Sequence, residues 1–135
     1  MELAIRGEII ERQELLNGTQ TVTLAGVSAD GWQLSGEASW NLGLVEYRGE
    51  GDITLLREDG AELYGTVLGV SVSLVTDAEE ASERFRIDYE IDGGAGAFEG
   101  AAGQAMAVGV LEGDAFEGVW SVVLSAAGRP TDQPA

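Results

Sequence analysis

Apolar and polar residues alternate along most of this chain. In "RFRIDYEID", Phe85, Ile87, Tyr89 and Ile91 fall on one side of an extended backbone, and Arg84, Arg86, Asp88 and Glu90 on the other. A period of two marks a β-strand with one dry and one wet face. "YRGEGDITLLRE" sets Tyr47, Gly49, Gly51, Ile53 and Leu55 against Arg48, Glu50, Asp52, Thr54 and Leu56. "GWQLSGEASW" brings Trp32, Leu34, Gly36, Ala38 and Trp40 into one phase, and "TQTVTLAGVSA" behaves similarly. The turn pairs Asn17-Gly18, Asp30-Gly31, Asp59-Gly60 and Gly113-Asp114 separate these runs.

The pattern predicts about eight strands, near 2–12, 19–28, 32–41, 45–58, 61–75, 84–92, 104–112 and 115–126. Helical character is confined to "AEEASER" and "IIERQELL", and "TDAEEASE" reads better as a loop. Hairpin spacing favours an all-β antiparallel meander, which eight strands can close into a β-barrel without free edges. Glycines inside strands (Gly36, Gly49, Gly51, Gly65, Gly69, Gly109 and Gly118) suit the coiling that closure needs. A two-sheet sandwich would use the same signals. The expected organisation is one domain over 1–126 and an exposed tail over 127–135.

One strand breaks the alternation. "VLGVSVSLV", residues 67–75, is apolar in both phases, since Val67 and Val70 are one odd and one even. A strand dry on both faces has to be covered outside, so this stretch predicts a homo-oligomer, a dimer through that face.

The stretch "DGGAGAFEGAAG", residues 92–103, invites several readings. A dinucleotide fingerprint fails because its third glycine position falls on Glu99 and no amphipathic helix follows. A phosphate loop needs a lysine, and the segment has none. A calcium nonapeptide has Phe98 where its ligating aspartate should stand. What remains is a β-corner whose glycines supply backbone geometry and whose Phe98 plugs one end of the core. "AFEG" recurs at 115–118, suggesting a second such anchor at Phe116.

Composition narrows the chemistry further. At 135 residues the chain has room for one core, and its hydrophobic fraction of 44% is that of a globular protein. Seven basic residues face 24 acidic ones, a net charge of −17 that argues against nucleic acid or an anionic membrane as partner. There is no cysteine and no histidine, which removes thiolate chemistry, disulfides, the commonest metal ligand and the commonest general base. "MELAIRGEIIERQELL" is not a secretory signal and no apolar run is long enough to span a bilayer, so the expected location is cytoplasmic. No metal or cofactor fingerprint is visible.

"YEIDGGAGAFEGAAG" resembles the "GGTGRFxGAxG" segment of the allene oxide cyclase-like and dirigent-like barrels, and "GEGDITLLREDGAELYGTV" resembles the hairpin that precedes it. The likeness covers roughly residues 45–126. It implies a small eight-stranded, calycin-like barrel. It also implies a function in the range of that group, which includes plant cyclases, dirigent proteins and bacterial spirotetronate cyclases; the acidic, signal-free chain is most similar to the last. The arginine that often precedes the aromatic in those families is Ala97 here, so no role of that residue carries over.

The resulting expectation is a cofactor-independent cyclase, promoting a pericyclic, Diels–Alder-type or related cyclisation of a flexible, polyketide-like apolar substrate. Such chemistry needs a shaped cavity and one or two hydrogen-bond donors. Tyr64, Tyr89 and Trp120 are the candidate catalytic donors, and Trp32, Trp40, Met106 and Phe116 the candidate substrate-binding residues. Trp32 and Trp40 share a phase eight residues apart, which places one at each end of a barrel. The alternatives are a binding module for a small hydrophobic ligand and a barrel filled by its own side chains. An enclosed cavity of several hundred Å³ would exclude the last.

Overall fold

The computed structural model describes residues 1–15, 18–41, 49–75 and 82–125. Eight strands follow one another: β1 (Glu2–Glu14), β2 (Thr19–Ser28), β3 (Gln33–Asn41), β4 (Glu50–Leu56), β5 (Glu62–Val75), β6 (Ser82–Ala95), β7 (Gly103–Glu112) and β8 (Ala115–Leu124). Each pairs antiparallel with the next, and β8 returns to β1 in a ladder from Glu2↔Ser121 to Glu8↔Ala115. The sheet is therefore a closed antiparallel barrel, and the sandwich alternative is removed. The loop expected over 76–83 lies mostly, and the tail over 127–135 wholly, outside the described residues.

In a meander the connections alternate between two ends. The lower end carries the β2–β3, β4–β5 and β6–β7 connections, and the upper end the other four. Trp32 stands just before β3 at the lower end, and Trp40 one residue before its upper terminus, in the same inward phase.

The glycine-rich stretch is the lower β6–β7 corner. A single 3-10 turn, Gly96–Phe98, joins the strands, with Gly96 at φ 65° and Gly100 at φ 78°. Those left-handed angles are why glycine is needed there. Phe98 tucks in against Trp32 with ring centroids 5.9 Å apart, and the Arg57 guanidinium lies 4.8 Å from the Phe98 ring centre. The corner is thus a plug, as its sequence suggests.

Two bulges matter for the inside–outside pattern. On β5, Val67 pairs with Tyr89 and Gly69 with Asp88, leaving Leu68 as the extra residue. A one-residue insertion flips the alternation. Val67 and Val70 are consequently both buried inside the barrel, whereas Leu68, 51% exposed, and Ser71 are turned out. Over the side chains described there, residues 67–72, the strand therefore has one dry face and one exposed face. On β1 a similar shift between Ile9 and Glu11 turns Ile10 outward.

Candidate functional site

The upper half of the interior is built around three rings. Phe85 (β6), Phe116 and Trp120 (both β8) are buried, with centroids 5.8 to 6.4 Å apart and mutual tilts of 51° to 89°. These are favourable edge-to-face separations. A barrel this narrow holds three rings only if its wall is thin beside them. A Cβ placed on Gly7 would lie 2.6 Å from Phe116 Cζ, one on Gly109 2.7 Å from Phe85 Cζ, and one on Gly118 3.0 Å from Phe85 Cζ. Inward-facing glycines on β1, β7 and β8 are therefore seats for the rings.

Above this cluster lies a cavity of about 30 Å³, bounded by Ile9, Leu24, Val70, Val72, Trp40 and Trp120 among others, all its walls apolar. That is room for about two water molecules, but a void without polar partners stays dry. The space of several hundred Å³ expected for a substrate is instead occupied by Phe85, Phe116 and Trp120. Trp40, half-buried at the strand end, lines the cavity at its upper side.

Two polar atoms are anomalous in this setting. The indole Nε1 groups of Trp40 and Trp120 are buried and have no hydrogen-bond acceptor among the described residues. An orphaned buried donor costs about 1–3 kcal/mol. Both belong to rings that line the cavity. Among the described residues, no titratable side chain lines it and no group of acidic residues is suited to a metal ion.

The seven residues expected at the site separate into three groups. Trp40, Phe116 and Trp120 meet around the cavity. Tyr89 and Trp32 are inside but elsewhere: Tyr89 pairs with Val67 and Ala105 in the barrel wall, and Trp32 belongs to the lower plug. Tyr64 and Met106 are corrections. Tyr64 is on the outer face, where its hydroxyl donates to the Glu62 carboxylate. That hydrogen bond, then desolvation, holds the phenol above its ordinary pKa. Met106 alternates with buried Ala105 and Ala107 and so faces outward. Phe85, absent from the expected set, is the third ring. Its phase with Ile87, Tyr89 and Ile91 already put it on the dry face.

The ion pairs among the described residues lie outside. Arg6–Glu117 (3.4 Å), Arg12–Asp114 (3.2 Å) and Arg86–Asp88 (3.4 Å) are exposed pairs across or along the strands. Such pairs contribute little each. At the lower β4–β5 turn, the Arg57 guanidinium binds both Asp59 oxygens at 2.7 and 2.9 Å. The Arg57 hydrogen bond, and then the Ala61 backbone N–H, lower the Asp59 pKa to about 2. Arg48, on the polar face of the expected fourth strand, is outside the described residues.

Comparison with known proteins adds nothing to this geometry: no family model matches the chain, nor does any curated protein or solved structure. No helix among the described residues is long and apolar enough to cross a membrane.

Proposed function

We propose that the barrel binds a compact, uncharged, apolar molecule carrying one hydrogen-bond acceptor, taken up at the upper end as the Trp40 ring swings aside. The observation that carries this reading is an apolar void lined by two tryptophan rings whose buried indole nitrogens have no acceptor among the described residues. A ligand carbonyl would supply the missing acceptor, and its hydrocarbon body would take over the space that Trp40 vacates. Trp40 suits the moving part because it is half-buried, sits at a strand end and leaves an unsatisfied group behind in its closed position.

Calorimetric titration with a medium-chain methyl ketone and with the alkene of equal length tests this. The ketone should bind about tenfold more tightly, the equivalent of one net hydrogen bond. Trp120→Phe, which keeps a ring and removes the donor, should reduce that advantage. Absence of saturable binding by either probe would overturn the proposal.

A cofactor-free cyclase is the finer reading, and its support is the family resemblance. In that reading the same indole donors polarise a carbonyl as the ring closes. A linear diene–dienophile substrate recovered as cyclised product by wild type, and unchanged by Trp120→Phe, would support it. Recovery of the intact molecule from both leaves the binding module.

A further inference from the structure

We infer that the outer face of β6, β7 and β8 is a self-complementary interface by which two copies of this chain form a two-fold dimer. Outward positions on β6 run Arg84, Arg86, Asp88, Glu90, two positive charges followed by two negative ones. The ladder extends each of these into a rung across the sheet. Arg84 lies beside Val110 and Arg86 beside Val108, which in turn neighbours Val119. Asp88 lies beside Met106, and Glu90 beside Gln104.

This face combines two features rarely found together in so acidic a chain. Val108 and Val110 on β7 are 42% and 37% exposed, and Val123 on β8, beside Gln104 on the Glu90 rung, is 69% exposed, so apolar side chains run along this face. Beside it stand two of only seven basic residues, in a chain of net charge −17. A face meant only for water would place its valines inward and share the general acidity.

The order of charges identifies the occupant. A two-fold axis running across the strands, between the Arg86 and Asp88 rungs, inverts the second copy's β6 over the first. Arg86 then meets the partner's Asp88, and Arg84 meets the partner's Glu90, each twice by symmetry. Val108 meets the partner's Met106 in the middle. Sheets packed face to face stay within about 30° of alignment, which two rungs tolerate. An isologous contact of this kind closes on itself and makes a dimer, not a filament. The Arg86–Asp88 pair within one copy is exposed and long at 3.4 Å, so sharing it across the interface sacrifices little.

Sedimentation equilibrium of the full chain over the micromolar range tests the proposal. Wild type should be a dimer. Arg84→Glu combined with Arg86→Glu should weaken dimerisation by more than about a hundredfold, through like charges brought opposite each other. Asp88→Arg combined with Glu90→Arg should do the same. These substitutions are on the solvent face of one strand, and circular dichroism will show whether each variant keeps the fold. The two variants, each monomeric alone, should form a one-to-one heterodimer when mixed, because every interfacial pair is again of opposite sign. A wild-type monomer, whatever other partner the face then takes, overturns the inference. So does a dimer unchanged by both charge reversals, or folded variants that stay monomeric when mixed.

Discussion

The two ends of this barrel use the same residue type for opposite purposes. At the lower end Trp32 is held by its turn. Its backbone N–H donates to Ser28 Oγ at 3.0 Å, its carbonyl accepts from the Ser28 N–H at 2.9 Å, and its ring packs against Phe98, over which Arg57 lies in turn. At the upper end Trp40 stands near the other terminus of β3 in the same phase, yet it lines a void, and its indole nitrogen has no acceptor among the described residues. The lower end is a plug built from turn geometry. The upper end is packed by rings that leave space and unmet hydrogen-bonding capacity above them. Position along a strand, more than residue identity, separates a structural tryptophan from a candidate functional one.

The largest expected effect concerns the rings that separate the two ends. Trp120→Ala should destabilise the fold by about 3–5 kcal/mol, read from denaturant unfolding, because a fully buried indole leaves a cavity that strands cannot collapse into. Gly109→Ala should cost about 2–3 kcal/mol by overpacking, since its new methyl would press on the Glu117 carbonyl oxygen and lie 2.7 Å from Phe85 Cζ. A near-neutral result there would show that the wall beside the rings can yield.

How far the sequence reveals this depends on the strand. Period-two alternation located all eight strands to within a few residues except at the start of β4, and the shared phase of Trp32 and Trp40 placed them at opposite ends. The misplaced residues have physical causes. On β7 the inner face is Ala105, Ala107 and Gly109, small because the rings opposite need volume, while Met106, Val108 and Val110 point outward. Side-chain size therefore points the wrong way, and Met106 looked like a cavity residue. On β5 the Leu68 bulge makes a singly buried strand read as dry on both faces. Tyr64 was legible, being out of phase with Leu63, Gly65 and Val67, but its hydroxyl drew attention to chemistry instead of phase. The orphaned donors depend on tertiary packing and leave no trace in sequence.

A smaller pair of substitutions sharpens the comparison of the ends. Trp32→Phe should cost about 1–2 kcal/mol, because a close-packed ring loses contacts. Trp40→Phe should be at least as stable as wild type, because it removes a buried donor that lacks an acceptor. Equal losses at both positions would erase the distinction.

The smallest effect belongs to the lower turn. Asp59 has its pKa lowered to about 2 from an ordinary 3.8, through Arg57 first and the Ala61 amide second. The folded value is below the unfolded one, so the pair stabilises the turn above the ordinary carboxylate range. That contribution is lost as the pH falls from about 3.8 towards about 2. Carboxyl carbon chemical shifts should titrate Asp59 with a midpoint near about 2. An ordinary midpoint would mean that the turn is not held by this pair.

The central claim, that the upper end receives an acceptor-bearing apolar ligand while the lower end stays closed, is most directly tested on the three indole N–H resonances. Nitrogen–proton correlation spectra recorded during titration with the methyl ketone should move the Trp40 and Trp120 signals downfield and leave Trp32 in place. Three unmoved signals, or a shift at Trp32 equal to that at Trp40, would contradict the account.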